Sequence, residues 1–508
     1  MVGGGRSGKG CGVNTGELPV QDAEGQPAAV RAAIVALSPG NSGGAKGGRE
    51  ANTSSQGQRE ATPPRVPATD KQGGEEPWTR HGAERGVWSE KMLVALEEGV
   101  KGNMWFSLID KVYSGRTLGL AWEKVRSNAG ACGVDGITVG QFAKDSHNRL
   151  LAVSEQIRRG TYQPGPVKRA WIPKPGSTER RPLGVPAVVD RVVGTALGMV
   201  IGPIFERDFA PQSYGFRPGR GCRDALRRVE QLLRGGCHHV VDIDIRGYFD
   251  AIPHDRLMAL VGQKIADGRV MGLIGAFLKA GVMGEDWGGQ AERGTPQGGV
   301  ISPLLANIYL DPLDWRMARE GLEMVRYADD MVVLCREPET ALVALEKIRA
   351  WMREAGLELH EGKTRVVDMA QAGAHFDFLG YRFWRGKAGK LRRFIRPKSQ
   401  RKLRERLKGL TRRANGRSLS AIIAVVNPIL RGWYGHFKHA SGKSLGQVDG
   451  WLRARLRAIL RKRQHRRGRS TATDHHRWDN RYFADHGLFC LLQARATELA
   501  SLRLGVTR

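Results

Sequence analysis

The chain has 508 residues, 41% of them hydrophobic and 26% charged, which allows several domains with ordinary cores. Lys and Arg number 81 against 51 Asp and Glu, so the net charge of +30 indicates a polyanionic partner, with an anionic membrane surface as the rival. The sequence lacks an apolar run of the roughly 18 residues that span a bilayer, an apolar secretory core at its start and any C-x-x-C pair among its six cysteines, which argues against a disulfide framework.

Residues 1–88 are rich in Gly, Ala, Ser, Pro and Gln and poor in large apolar side chains. Their ten Lys and Arg nearly balance their nine Asp and Glu, so the basic excess lies elsewhere. Because so little apolar surface is available to offset chain entropy, we predict a disordered N-terminal extension. Ser89 is the expected N-cap of the first helix.

Residues 89–390 alternate short β-rich runs with helical patterns, which predicts an α+β domain. Residues 238–245 and 324–335 are typical strand sequences, and residues 341–356 have helical periodicity.

Residues 391–470 have a different composition. Between residues 395 and 470 there are 22 Lys and Arg but only two acids, Glu405 and Asp449. Amphipathic spacing predicts helices, and the charge imbalance predicts that a polyanion neutralises them. Four cations on one flank of the last helix are the predicted RNA contacts: Arg453, Arg457, Arg461 and Lys462. Residues 471–508 form a short C-terminal segment.

Two adjacent carboxylates, Asp329 and Asp330, stand between apolar runs and are expected at the tip of a β-hairpin. A solvated turn would explain an isolated pair, but the strand at residues 240–245 also carries acids, Asp242 and Asp244. If the strands are neighbours, three carboxylates converge and form a hard-oxygen site suited to Mg²⁺. Two such ions, about 4 Å apart, can promote phosphoryl transfer. Strand periodicity places Asp242 and Asp244 on the same face, so it does not choose between them.

The segment from Tyr327 to Asp330 resembles the active-site hairpin of reverse transcriptases, and residues 244–250 resemble their other palm motif. The resemblance implies that Asp244, Asp329 and Asp330 are the catalytic metal ligands. It also implies that Phe249 packs under the sugar and excludes ribonucleotides.

Further segments, in the expected order, resemble group II intron reverse transcriptases: residues 133–136, 172–175, 181–186, 214–218, 294–303, 362–364 and 378–380. The resemblance implies that Lys174 and Arg181 hold the triphosphate and that Gln297 lines the nucleotide pocket. Lys363 would neutralise or protonate the departing pyrophosphate.

Residues 427–434 resemble the maturase or thumb region of the same family. Residues 478–483 and 486–489 resemble the short C-terminal segment of members that lack the endonuclease domain. The resemblance implies a right-hand polymerase with an antiparallel palm sheet in its fingers and palm, followed by an α-helical thumb and maturase region. The expected activity is Mg²⁺-dependent, RNA-directed DNA synthesis, using two ions, an RNA template, a DNA primer and deoxynucleoside triphosphates. The expected partners include the intron RNA and target DNA but no membrane, in a bacterial cytoplasm.

Three alternatives remain open from the sequence. The first is an RNA-binding splicing factor with little polymerase activity, although all three acids are intact. The second is a retron or phage-defence reverse transcriptase, which should lack the maturase-like segment. The third is a diversity-generating reverse transcriptase, which should lack the pattern seen at residues 297–303.

Overall fold

The structure, a computed structural model, describes residues 81–173, 180–283, 292–296, 298–387, 389–414, 416–466 and 471–503. Its strands are β1 (Val167–Pro173), β2 (Arg180–Val185), β3 (His239–Ile243), β4 (Val282–Met283), β5 (Glu323–Tyr327), β6 (Asp330–Cys335), β7 (Arg365–Asp368), β8 (His375–Phe378), β9 (Tyr381–Arg385) and β10 (Leu391–Ile395).

The helices of the first two thirds of the chain are α1 (Glu90–Glu98), α2 (Ile109–Tyr113), α3 (Gly115–Asn128), α4 (Val139–Lys144), α5 (Ser146–Arg159), α6 (Val188–Glu206), α7 (Cys222–Arg234), α8 (Tyr248–Ala251), α9 (His254–Gly262), α10 (Gly268–Lys279), α11 (Ser302–Arg319) and α12 (Pro338–Glu354). The C-terminal helices are α13 (Pro397–Leu410), α14 (Leu419–Phe437), α15 (Gly442–Arg463), α16 (Ala472–Arg477), α17 (Asn480–Asp485) and α18 (Leu491–Arg503). The predicted α+β organisation with a helical C-terminal region is confirmed.

The central sheet has the strand order β5-β6-β3-β7, and each neighbouring pair is antiparallel. Its strands alternate between two hydrophobic cores, because successive side chains of a strand point to opposite faces. On β3, Val241 and Ile243 belong to the core that contains α6, α11 and α12. Val240 belongs to a second core, which contains α7, α14 and α15. The predicted antiparallel palm sheet is therefore confirmed, and it lies between the two cores.

A second sheet has the strand order β2-β1-β4 and corresponds to the predicted fingers. β1 and β2 are an antiparallel hairpin in which Ile172 pairs with Arg181, and β4 joins the other edge of β1 in parallel. Helix α6 follows β2 in the chain and is almost wholly buried in the first core.

Two predictions from composition meet different outcomes. Among the described residues, α6 is long and apolar enough to cross a membrane by length and composition alone, but 78% of that segment is buried inside the fold. The apolar sequence of α6 is interrupted by Asp190 and Arg191. The five cysteines in the described residues are all free thiols, as expected.

The predicted N-terminal boundary needs a correction. Residues 1–80 lie outside the described part of the chain, but residues 81–88 belong to the first core rather than to a disordered extension. Ala83, Val87 and Trp88 are buried there, and the Trp88 indole donates a hydrogen bond to the Met199 carbonyl at 3.1 Å. Ser89 accepts from the Met92 amide and caps α1, as predicted.

The boundary predicted between residues 390 and 391 is also misplaced. It precedes β10, which pairs along its length with β9 in a third sheet of order β10-β9-β8. Because hairpin-paired strands belong to one unit, the helical region begins at α13. The predicted C-terminal segment is not separate either, since Trp478, Phe483 and Leu491 are buried in the second core.

Candidate active site

The hairpin predicted at Asp329 and Asp330 is present. Tyr327 on β5 pairs with Asp330 on β6, so Ala328 and Asp329 form a two-residue turn. Ala328 has φ +58°, in the left-handed region that primed hairpin turns use. The turn places both carboxylates at one end of the palm sheet.

Asp244 follows β3 directly and lies beside this hairpin. The register pairs Ile243 with Met331, so the next position along β3 falls opposite Asp330. Asp242 lies deeper, where it pairs with Val332 and Arg365, and its carboxylate accepts from the Arg365 guanidinium at 3.3 Å. The placement therefore favours Asp244 over Asp242 as the third member of the triad.

The electrostatics of Asp330 show that these carboxylates are close. Its pKa is raised to about 7, first by desolvation and then by the like charges of Asp329 and Asp244. Asp330 is exposed on one side, yet protein atoms crowd its other side closely enough to desolvate it. A bound cation would therefore offset the repulsion among the three carboxylates.

The donors fit Mg²⁺ in a particular way. The three carboxylates offer only oxygen ligands, which Mg²⁺ prefers. In the described part of the chain, no group of three or more His, Cys, Asp or Glu side chains is arranged to hold an ion by itself. Mg²⁺ commonly keeps waters and binds through one or two carboxylates plus substrate phosphates. The arrangement fits an ion that arrives with a nucleotide better than one held in a protein cage.

Phe249 lies on α8, immediately after the triad strand, and supports the neighbouring glycine-rich loop. Its carbonyl accepts from the Thr295 amide at 2.6 Å, and the Gly294 amide donates to the Ile252 carbonyl at 2.8 Å. Phe249 itself is half-buried. The predicted sugar-side residue and the start of the predicted nucleotide loop are thus brought together.

The same loop also contacts the fingers. Gly298 has φ +109°, and a Cβ added there would lie 2.2 Å from the Gly184 carbonyl oxygen on β2. Only glycine permits this approach. Of the predicted nucleotide-binding residues, Lys174 and Gln297 lie outside the described residues, as does the side chain of Arg181, whose backbone belongs to β2.

Lys363 lies at the triad. Its ammonium group is 3.1 Å from a carboxylate oxygen of Asp244, and its backbone belongs to a turn whose His360 amide donates to the Asp244 carbonyl at 2.8 Å. Both side chains are exposed enough for solvent to weaken the pair. Lys363 is therefore positioned beside the carboxylate triad.

Two cations beside the carboxylates were missed from sequence. Arg365 bonds Asp242, and Arg396, which lowers the pKa of Asp330, is 3.2 Å from Asp377. The position of Arg365, two residues after Lys363, was a sequence signal for a cation near the site. Arg396 gave no such signal, because the pairing of β9 with β10 determines where it lies.

The predicted RNA contacts on α15 separate into two kinds. Arg457 is buried: its Nε donates to the Trp478 carbonyl at 2.7 Å, and its guanidinium lies over the Phe483 ring. Arg461 forms an ion pair with the buried Asp474. These contacts leave Arg457 without a surface for a phosphate, so that prediction is wrong for this residue, and they tie Arg461 to the C-terminal segment.

Lys462 is exposed, and Arg453 is half-buried with a contact to Cys490. The more accessible basic surface lies on α13 instead. Five of its cations are exposed: Lys398, Arg401, Lys402, Arg406 and Lys408. Leu403 and Leu407 face the second core from the opposite side of this helix.

Comparison with known protein families gives two matches. The model of the reverse transcriptase (RNA-dependent DNA polymerase) family matches residues 172–383, and that of the group II intron maturase-specific domain matches residues 400–479. The two matched ranges contain the palm triad and the basic helices respectively.

The group II intron-encoded protein LtrA of Lactococcus lactis subsp. cremoris is 39% identical over 198 residues, which cover 38% of this chain and 32% of that protein. Protein YkfC of Escherichia coli is 32% identical over 297 residues, which cover 50% of this chain and 76% of that protein. The matched part of the chain thus spans about a third of LtrA. A solved structure of telomerase from Candida albicans covers 63% of this chain and 64% of that chain, with 13% identity and a TM-score of 0.36, which is too low to support an inference about fold.

Proposed function

We propose that this chain, which belongs to the family of group II intron-encoded reverse transcriptases with a maturase domain, extends a DNA primer on an RNA template. The observation that carries the proposal is the convergence of Asp244, Asp329 and Asp330 at one end of the palm sheet. Desolvation, together with the like charges of Asp329 and Asp244, raises the pKa of Asp330 there to about 7. A cluster of this kind favours divalent cations and the phosphates that they bridge.

Two Mg²⁺ ions are the proposed cofactor. When bound, they supply the Lewis acidity that activates the primer hydroxyl and offsets charge on the departing pyrophosphate. The carboxylates of Asp244, Asp329 and Asp330 would bind the ions and so position the nucleotide phosphates that share them. Lys363, beside Asp244, offers a positive charge to the pyrophosphate, and Phe249 narrows the sugar side of the pocket.

A second activity, binding of the intron RNA to assist its splicing, rests on the basic helices. The exposed cations of α13 form one surface with a stripe at Lys398, Lys402 and Arg406, which are spaced by four residues and so share a helix face. Folded RNA is recognised largely by shape and by phosphate contacts. Binding of target DNA and a bacterial cytoplasmic location belong to the same proposal.

A splicing factor with little polymerase activity is the alternative from a different class. In such a protein the nucleotide pocket would be dispensable. The glycine-rich loop is nevertheless bonded to α8 through Thr295 and Phe249. It also approaches β2 at Gly298, where only glycine fits, and this preserved pocket argues against the alternative. The maturase-domain match over residues 400–479 argues against a retron or defence enzyme.

The test is primer extension by the purified full chain on an RNA template, with and without Mg²⁺. We expect cDNA synthesis that requires Mg²⁺ and is stopped by a chelator. In parallel, splicing of the intron RNA that contains the coding sequence is measured at low Mg²⁺, with and without the protein. Absence of cDNA with splicing intact would favour the splicing-factor alternative.

A further inference from the structure

Arg326, the residue before Tyr327, is fully buried and is among the largest fully buried side chains of the described fold. Its Nε donates to Asp314, its Nη1 to Asn307 and to the Ala328 carbonyl, and its Nη2 to Ser213 and Asp314. Every N–H of the guanidinium therefore has an acceptor. An arginine so completely bonded inside a strand is held in one orientation.

The acceptors come from separate elements. Asn307 and Asp314 lie two turns apart on the same face of α11, which packs under the palm sheet. Ser213 belongs to the loop before α7, and that loop is joined to β5 by a hydrogen bond of 2.8 Å from the Tyr214 amide to the Arg326 carbonyl. We call Arg326, Ser213, Asn307 and Asp314 the Arg326 clamp.

The clamp reaches the metal-binding hairpin at one atom. Arg326 Nη1 donates to the Ala328 carbonyl at 3.0 Å, and that carbonyl belongs to the peptide that joins Ala328 to Asp329. The turn is confined from its other side by Gly215, where an added Cβ would lie 2.3 Å from the Ala328 amide nitrogen. Asn307 connects the two sides, because its Nδ2 donates to the Gly215 carbonyl at 2.8 Å.

Ala328 needs this support. Its φ of +58° is unfavourable for a residue with a Cβ and persists only where surrounding structure enforces it. If the peptide turned over, the direction of the Asp329 carboxylate relative to Asp330 and Asp244 would change.

We propose that Arg326 is a positioning residue for the metal site, which fixes the Asp329 carboxylate through the Ala328 carbonyl. The inference rests on the proposed role of Asp329 as a metal ligand. The competing view is that Arg326 and Asp314 are only a buried ion pair of the palm, which many folds contain without any role in function.

The experiment compares Arg326→Lys with Arg457→Lys. Lysine keeps a positive charge near Asp314 but lacks the guanidinium fork that also reaches the Ala328 carbonyl. Arg457 is a matched control, because it too is buried and bonded, with its Nε donating to the Trp478 carbonyl and its guanidinium over the Phe483 ring, and it contacts no member of the clamp among the described residues. Mn²⁺ affinity of each folded protein is measured by the electron paramagnetic resonance signal of free Mn²⁺. The Mn²⁺ binding that Asp329→Asn/Asp330→Asn abolishes defines the active-site ions.

We expect Arg326→Lys to weaken active-site Mn²⁺ binding by about 10- to 100-fold, as removal of a hydrogen bond that orients a metal ligand typically does. The kcat for primer extension should fall with it, while the KM for template–primer stays unchanged. Arg457→Lys should lower thermal stability without weakening Mn²⁺ binding. Equal Mn²⁺ affinity in the two variants would overturn the proposal.

If Arg326→Lys does not fold, the double variant Arg326→Met/Asp314→Leu replaces it, because removing both charges leaves no lone buried ion. The same loss of Mn²⁺ affinity is expected, and unchanged affinity would again overturn the proposal. Failure of the wild-type chain to make cDNA would instead count against the proposed function, since the Mn²⁺ comparison does not depend on turnover.

Discussion

The palm carboxylates and the basic helices are both dense in charge of one sign, but the fold treats them differently. Asp244, Asp329 and Asp330 meet at one end of the sheet, where desolvation and the like charges of the other two acids raise the pKa of Asp330. In the basic region, Arg457 and Arg461 instead turn toward the C-terminal segment and stabilise its packing. Charge density along a sequence therefore indicates that a ligand exists, whereas the packing decides which charges reach it.

The largest expected effect is a difference in primer-extension activity between variants of two nearby acids, Asp244 and Asp242. Asp244→Asn should reduce Mg²⁺-dependent primer extension to background, because the site loses the ligand beside Asp330. Asp242→Asn is the matched control and should be much milder, since its carboxylate bonds Arg365. The measurement is single-nucleotide incorporation by folded proteins, and equal losses in both variants would remove the distinction between the two acids.

The next effect concerns the nucleotide pocket. Phe249→Val should relax discrimination against ribonucleotides, because the sugar loses its steric wall while the backbone bond to Thr295 remains. We expect the ratio of kcat/KM for deoxy- and ribonucleotides to fall by roughly tenfold to a hundredfold. An active variant with an unchanged ratio would exclude Phe249 from this role.

The two regions also differ in how far the sequence predicts them. The hairpin follows from local sequence. The apolar runs on both sides of Asp329 and Asp330 predict two strands, and the short link between them predicts a turn. The choice between Asp242 and Asp244 could not follow from periodicity, because both share a face. It depends on β3 ending at Ile243, which sets Asp244 beside the hairpin.

In the basic region, local pattern was insufficient for a different reason. The stripe of α15 correctly identified its buried face, with Leu452 and Leu456 in the core. The flank that carries Arg457 was expected to face solvent, but α16 and α17 cover it and supply the Trp478 carbonyl and Asp474. Those contacts join α15 to residues that follow it in the chain, 21 positions away for Trp478 and 13 for Asp474, so spacing within α15 contains no sign of them.

A charge-neutralising variant on α13 sharpens the comparison. Lys398→Gln/Lys402→Gln/Arg406→Gln should weaken binding to structured RNA and flatten the slope of log K against log salt by roughly 0.7 to 0.9 for each phosphate that the protein no longer neutralises. The matched control neutralises three exposed cations of helices α3, α4 and α5: Arg126, Lys144 and Arg159. Equal slopes in the two variants would show that total charge, and not the α13 surface, sets RNA affinity.

A smaller effect distinguishes structural from accessible cations on α15. Arg457→Ala should lower the free energy of unfolding by about 1–3 kcal/mol, because the buried Trp478 carbonyl loses its donor. Lys462→Ala, at an exposed position, should change it by no more than about 0.5 kcal/mol. Chemical denaturation measures both, and equal stability of the two variants would contradict the buried role of Arg457.

The most direct test of the central claim, that chemistry belongs to the palm and RNA recognition to the basic helices, uses one preparation of Asp329→Asn/Asp330→Asn. Its affinity for structured intron RNA and its cDNA synthesis are measured side by side with the wild-type chain. The predicted result is wild-type RNA affinity with cDNA synthesis reduced to background. Substantial cDNA synthesis by this variant, or loss of RNA affinity in a folded sample, would contradict the account.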